Sequence, residues 1–238
     1  MSDLVLRDLT GMAEFLAAED LQRAVWGKDD TADPADLMMV IQSEGGLCGG
    51  AFLGGRLVGY IFAFPTREPA IQHSHRLAVL PETRGLGLGA RLKWYQRDWC
   101  LARGIGLVRW TFDPLRLTNA SLNIGHLGAV VRTYLPDYYG EMKGINAGAP
   151  SDRLLADWHL DHPAVAARAA GAPLPDRAPG QRVAIPADFP ALLAHDRPKA
   201  LAERMRVRDA LVRAFAEGQV IAGFDRGEGA YVLGCQPG

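Results

Sequence analysis

Three glycines in five residues, Gly85, Gly87 and Gly89, interrupt the stretch LAVLPETRGLGLGARLK between an apolar run and an amphipathic one. A segment with so little side chain presents its backbone to whatever it meets. The apolar run before it predicts a strand. The residues after it, ARLKWYQRDWCLARG, predict a helix whose buried stripe is Leu92, Tyr95, Trp99 and Ala102, with Gly104 as its C-terminal stop. Strand, glycine turn and helix in that order point to a mixed α/β (α+β) sheet. In such a sheet the loop holds a nucleotide phosphate, an acyl-carrier pyrophosphate, or only a tight turn.

The elements around the loop narrow the choice. Residues 10–26 have helical spacing, with Thr10 as N-cap. LCGGAFLGGRLVGYIFAF reads as two strands joined at Gly54-Gly55. HSHRLAVL is a third strand, ended by Pro81. LVRWTFD, AVVRTYLPDYYG and DRLLADWHLD read as further strands, with a short helix over Asn119 to Leu127. Residues 162–182 are rich in Ala, Pro and Gly and show no period, which reads as a linker or an extended wrap. Beyond it, RVAI reads as a strand. Pro198 to Glu217 reads as a helix, with Leu201, Met205, Val212 and Phe215 along one side, and VIAGFD and AYVLG close the chain as strands. The expected division is a core over 1–162, a linker over 163–182 and an α+β extension over 183–238.

A nucleotide P-loop needs G-x-x-x-x-G-K followed by Ser or Thr, and no such Lys pair follows Gly89. The dinucleotide pattern G-x-G-x-x-A is met by Gly85, Gly87 and Ala90, with Asp113 about twenty residues on. Four residues separate the strand from the first glycine, however, and an antiparallel hairpin precedes it, neither of which suits that fold. The third reading uses R-x-x-G-x-G, Arg84 to Gly89. Successive amides at a helix start turn towards one pyrophosphate, and Arg84 adds positive charge at the rim.

With this loop and this strand order, the sequence resembles the GCN5-related N-acetyltransferase (GNAT) superfamily over roughly residues 3–160. SHRLAVLPETRGLGLGARLK, WTFDPL, NASLNIGHLGA, YYG and SDRLLADWHL further resemble one subgroup of predicted acetyltransferases with no assigned substrate. The resemblance implies an acyl-CoA N-acyltransferase fold with a C-terminal extension, and acetyl-CoA as cosubstrate. It implies that the backbone of Leu77, Ala78 and Val79 pairs with the pantetheine arm. The amides of Gly85, Leu86, Gly87, Leu88, Gly89 and Ala90 would take the pyrophosphate, and Asn119, with Asn123 as a second candidate, would face the pantetheine.

Acetyl transfer needs a neutral amine, a route for its proton and, in some enzymes, an acid for the leaving thiolate. Many relatives place a Tyr four residues before a Gly-Phe pair. Here Gly128 is the matching glycine, but Ile124 stands four before it and Ala129 replaces the Phe. Tyr134, Tyr138 and Tyr139 are the alternative acids. His75 and Glu82 are the candidate bases. His73 and His75, two apart on a strand, face the same way, but no third or fourth ligand accompanies them and no metal is expected. Asp152, Arg153, Trp158 and His159 lie where an acceptor would enter. Lys199, Arg204, Arg206, Arg208 and Arg213 read as a solvated helix face, with recognition of an anionic acceptor as the alternative.

Bulk properties exclude several classes. A net charge of −1 supplies no basic excess for nucleic acid. No apolar run is long enough for a membrane span, and the N-terminus lacks the pattern of a signal peptide. Cys48, Cys100 and Cys235 are too few and too scattered for a disulfide framework. The expectation is a cytoplasmic enzyme, with a homodimer allowed, moving an acetyl group to a small-molecule or peptide amine. A CoA-binding sensor without turnover and an NAD(P)-binding oxidoreductase are the rivals.

Overall fold

The computed structural model describes residues 3–27, 31–140, 148–172 and 180–235. Two compact units divide the chain, Met1–Arg109 and Trp110–Gly238. The division falls inside a strand rather than in the Ala/Pro/Gly-rich stretch.

The first unit holds β1 (Leu4–Asp8), α1 (Gly11–Trp26), α2 (Ala35–Ser43), β2 (Leu47–Leu53), β3 (Arg56–Pro65), β4 (Ile71–Val79) and α3 (Leu88–Leu101). Its strands lie in the order β1-β2-β3-β4, antiparallel throughout. The first residues of β5 (Leu107–Phe112) run parallel to β4 at Ile71↔Leu107, Gln72↔Val108 and His73↔Arg109. β2 and β3 are buried on both faces, since α1 and α3 pack against this part of the sheet. Gly49 permits the approach of α3: a Cβ there would stand 2.8 Å from the Tyr95 ring. The Thr10 side chain makes no cap bond. Glu14 instead accepts from the Thr10 amide at 2.8 Å, one residue beyond the position a capping box uses, while Arg7 holds the same carboxylate.

The stripe expected on α3 needs correcting. Leu92 and Trp99 are buried, but Ala102 is exposed, and Lys93 and Gln96 are buried in its place. Gln72 and Ser74 of β4 face these two. Lys93 Nζ donates to Ser74 Oγ at 2.8 Å and to Gln96 Oε1 at 3.1 Å, and Gln96 donates to Gln72 at 2.7 Å. Polar side chains on α3 thus meet polar side chains on β4, and each makes at least one hydrogen bond, although the buried Gln72 Nε2 is left without a partner.

The second unit continues from the end of β5 through α4 (Leu117–Ala120), β6 (Val130–Leu135), β7 (Arg153–His159), α5 (Pro163–Ala169), β8 (Arg182–Ala184), α6 (Phe189–His195), α7 (Arg197–Ala216), β9 (Val220–Asp225) and β10 (Ala230–Gly234). Its strand order is β5-β7-β6-β9-β10-β8. The short helix expected over Asn119–Leu127 is α4 followed by a π-helical turn over Ser121–His126, a wider winding that recurs near functional sites. The stretch over 162–182, expected to be a linker or an extended wrap, contains α5 and reaches the first residue of β8, and residues 173–179 lie outside the described residues. β9 joins the ladder beside β6 at Val131↔Ile221, so the C-terminal strands extend the same sheet.

The face expected on α7 is also corrected. Met205 and Val212 are exposed, and the buried line is Ala200, Arg204, Val207, Leu211 and Ala214. Among the described residues, no helix is long and apolar enough to cross a membrane. Among the described residues, no group of three or more His, Cys, Asp or Glu is placed to hold a metal ion.

Candidate functional site

In the first unit the glycine loop leaves β4 through a 3-10 turn, Pro81–Thr83, and enters α3 with Gly87 as N-cap. Gly85 and Gly87 have φ of +88° and +68°, conformations that a Cβ makes costly. A Cβ at either would meet nothing within 4 Å. The glycines therefore serve the backbone conformation and leave the outer surface of the loop open. The Arg84 and Leu86 amides turn inward, to Pro81 O and Thr83 O. The amides of Leu88, Gly89 and Ala90 open α3 and have no intrahelical partner by construction. This is a cradle of donors at the positive end of a helix, which fits a diphosphate. Arg84 is exposed beside it.

Leu77, Ala78 and Val79 pair with Ile61, Tyr60 and Gly59 of β3. On the other flank of β4 the parallel register covers only Ile71 to His73, although β4 continues to Val79. The β3–β4 ladder also slips: Phe62 faces Arg76 and Ala63 faces Ser74. His75 is the extra residue of this bulge, a device that re-aims a side chain.

His75 Nε2 lies 3.4 Å from Asp33 Oδ1, and Arg76 Nε lies 3.1 Å from Asp33 Oδ2. One carboxylate from the α1–α2 connection thereby orients the imidazole. His73 stacks on Phe64 with centroids 4.9 Å apart, and its ring centroid is 6.4 Å from that of His75. The two histidines do face the same way. Burial, with the charges of His75, Lys93 and Arg109, pushes the His73 pKa down to about 4, so His73 stays neutral. Glu82 forms an exposed ion pair with Arg56 at 2.9 Å. Its own backbone amide, together with Arg56, holds its carboxyl below the usual range.

In the second unit Asn123 and Ile124 are buried in the π-helical turn and Asn119 is half-buried. Tyr134 donates to Asp152 Oδ2 at 2.6 Å. Asp152 is fully buried, accepts from the Asp137 amide at 3.0 Å, and receives the Arg208 guanidinium on both oxygens. Burial raises the Asp152 carboxyl, but Arg208, Tyr134 and the Asp137 amide outweigh it and hold it below the ordinary value. Burial, then Asp152, pushes the Tyr134 phenol well above its ordinary value. Tyr138 and Tyr139 are exposed neighbours. The Tyr139 hydroxyl lies 3.3 Å from Thr111 Oγ1, and the Arg153 guanidinium lies 4.9 Å from the Tyr139 ring centroid.

The reading of α7 as a solvated basic face fails at two positions, Arg204 and Arg208. Arg204 is buried, pairs with Asp113 and lies over the Phe189 ring at 4.6 Å. Arg206 remains on the surface, bonded to Glu203 and Ala184 O, and Lys199 and Arg213 are exposed. Trp158 is a core residue, donating to Leu127 O at 3.0 Å and packing edge-on against Trp110. His159 is exposed.

Comparison with known proteins places this geometry. Residues 13–120 match the Acetyltransferase (GNAT) family. No curated protein sequence matches the chain. Among solved structures, the chain is similar to the ribosomal-protein-S18-alanine N-acetyltransferase from Escherichia coli, with 16% identity and a TM-score of 0.55 over 66% of this chain and 94% of that one. It is similar to yncA, a putative acetyltransferase from Salmonella typhimurium solved with its cofactor acetyl-CoA: 19% identity, TM-score 0.55, 67% of this chain and 95% of that one. It is likewise similar to the diaminobutyrate acetyltransferase EctA from Paenibacillus lautus, solved with L-2,4-diaminobutyric acid and coenzyme A: 19% identity, TM-score 0.53, 67% and 97%. The architecture is therefore that of the GNAT acetyltransferases, a mixed α/β sheet flanked by helices, with extra C-terminal elements.

Proposed function

We propose that the chain is an N-acetyltransferase that moves an acetyl group from acetyl-CoA to the amine of a small molecule or peptide. The observation that carries this reading is the loop: positive-φ glycines at the end of β4 deliver the open amides of an α-helix start, within a GNAT fold. Acetyl-CoA supplies the acetyl group already activated as a thioester. The amides of Gly85 and Gly87 through Ala90 hold its diphosphate, with Arg84 at the rim, and the backbone of Leu77–Val79 lines its arm. Asn119 and Asn123 are the pantetheine-facing side chains.

His75 is the base we favour. The bulge turns it out of the ladder and Asp33 orients it, so it takes a proton from the attacking amine. Tyr139 is the favoured acid, since the Tyr134 hydroxyl is committed to Asp152. We propose a functional division into a core over 1–162, a connecting stretch over 163–182 and an extension over 183–238, distinct from the two compact units that meet at Arg109 and Trp110. The structural likenesses, covering about two thirds of the chain, support a transfer core with an added extension.

A second reading, a CoA-binding protein without turnover, draws on one observation: Ile124 is fully buried where many relatives carry the acid. Titration calorimetry with CoA tests the loop. Gly87→Val, at φ +68°, should weaken binding at least tenfold in a folded protein, and unchanged affinity would remove the loop assignment. Acetyl transfer across an amine panel then separates enzyme from sensor.

A further inference from the structure

The second unit contains a cavity whose wall holds none of the residues to which acetyl transfer is assigned above, although it includes His159, read from the sequence as lying near the acceptor entrance; the inference drawn from it does not rest on acetyl transfer. It has a volume of about 160 Å³ and is lined by Val130, Val165, Ala222, Arg132, Arg168 and His162, among others.

Two independent irregularities of the sheet meet there. In the β6–β7 ladder, Val131 faces Ala156 and Thr133 faces Leu155, which leaves Arg132 as the extra residue. In the β9–β10 ladder, Val232 faces Gly223 and Leu233 faces Ile221, which leaves Ala222 as the extra residue. β6 and β9 are neighbours through Val131↔Ile221. Adjacent strands thus each carry a bulge at the same level, and both bulged residues line the cavity. Bulges interrupt pairing and redirect a side chain; here they open a space and put a guanidinium beside it.

The wall is chemically divided. Val130, Val165 and Ala222 are apolar. Arg132 and Arg168 are cationic, with Asp157 3.9 Å from Arg132. The Arg168 guanidinium donates to Ile124 O and Gly125 O at 3.0 and 3.3 Å and rests against Gly128, where a Cβ would stand 2.6 Å from Nη1. It is therefore held in place beside the cavity. The His162 Nδ1 accepts from the Ala164 amide at 3.2 Å, which puts the ring proton on Nε2, as a donor.

The geometry points to a second binding site, for a small carboxylic acid with an apolar body of about the size of one aromatic ring. A cavity of about 150 Å³ with apolar walls accommodates benzene, and guanidinium pairs well with carboxylate. Inorganic phosphate would meet the cations but leave the apolar walls uncovered.

Titration calorimetry on the full chain, at constant ionic strength, with benzoate, benzamide and inorganic phosphate tests this. Benzoate should bind at one site, and benzamide and phosphate at least tenfold more weakly. Ala222→Phe, which fills the cavity from an exposed position, should abolish benzoate binding. Arg132→Gln, also exposed, should weaken it at least fivefold. Circular dichroism confirms that each variant is folded; should Ala222→Phe not fold, Arg132→Gln and the ligand series decide. No benzoate binding, equal affinity for benzamide, phosphate binding as tightly as benzoate, or unchanged binding in the folded variants would each overturn the site.

Discussion

Arg204 grips Asp113 with both arms of its guanidinium, Nη1 at 3.1 Å from Oδ1 and Nη2 at 2.8 Å from Oδ2. The side chain is 2% exposed, so α7 carries a full charge into the core of the second unit and meets its partner just past β5. Removing one member of a buried pair strands the other charge.

The first prediction follows from that geometry. Arg204→Ala should lower unfolding stability by about 3–5 kcal/mol, whereas replacing both members with apolar residues, Arg204→Met with Asp113→Leu, should recover most of the loss. Urea denaturation of the single and double variants measures it. A double variant no better than the single one would show that the pair is not the source of the loss.

Lys93 gives a pH-dependent prediction. Burial pushes its ammonium down to about 7, with Cys100 opposing slightly, whereas an unfolded Lys titrates near 10.4. Between these values the unfolded chain binds the extra proton, so this group makes stability rise with pH from about 7 to about 10, and its penalty is full below 7. Lys93→Met should therefore gain most over the parent at pH 6 and least at pH 9.5. Denaturation across that range checks it, and a difference independent of pH would show that Lys93 does not titrate as described.

The tyrosines separate by what holds them. Tyr134→Phe deletes a buried hydrogen bond to an ionised carboxylate and should cost about 1.5–3 kcal/mol of stability. Tyr139→Phe should lower turnover at least tenfold with CoA affinity unchanged, because its hydroxyl is placed beside Thr111 while its ring lies on the surface. Steady-state kinetics with calorimetry distinguishes the two, and full turnover in Tyr139→Phe would leave proton delivery to water.

For the base, His75→Gln should cut turnover by about 10²-fold or more, while His73→Gln should change it less than threefold, since His73 is already neutral. Equal losses at both positions would point to packing against Phe64 rather than proton transfer.

Most strands were legible because period-two burial and glycine punctuation survive in the sequence, as in HSHRLAVL and the Gly54-Gly55 turn. The loop was legible because a backbone-presenting motif must be written in glycine. α7 was misread for a physical reason. Its buried line runs through Ala200, Arg204 and Ala214, two residues too small to signal a core and one whose charge reads as solvent, while the exposed Met205 and Val212 mimic a stripe. Lys93 was hidden in the same way, since one of its acceptors, Ser74, lies across the packing on β4 and the other, Gln96, is itself a polar residue buried on the same helix. The bulge at His75 and those at Arg132 and Ala222 are pairing slips, visible only once two strands are laid side by side.

β9 beside β6 has a consequence for the chain as an assembly-prone object. With β9 in place, β6 is an inner strand; a chain stopped at residue 162 would make it a rim of open N–H and C=O groups, a template for recruiting other chains. With its own C-terminal strands in place, the sheet ends instead at β8, three residues long, too short to nucleate much. The C-terminal segment therefore covers the edge that β6 would otherwise present.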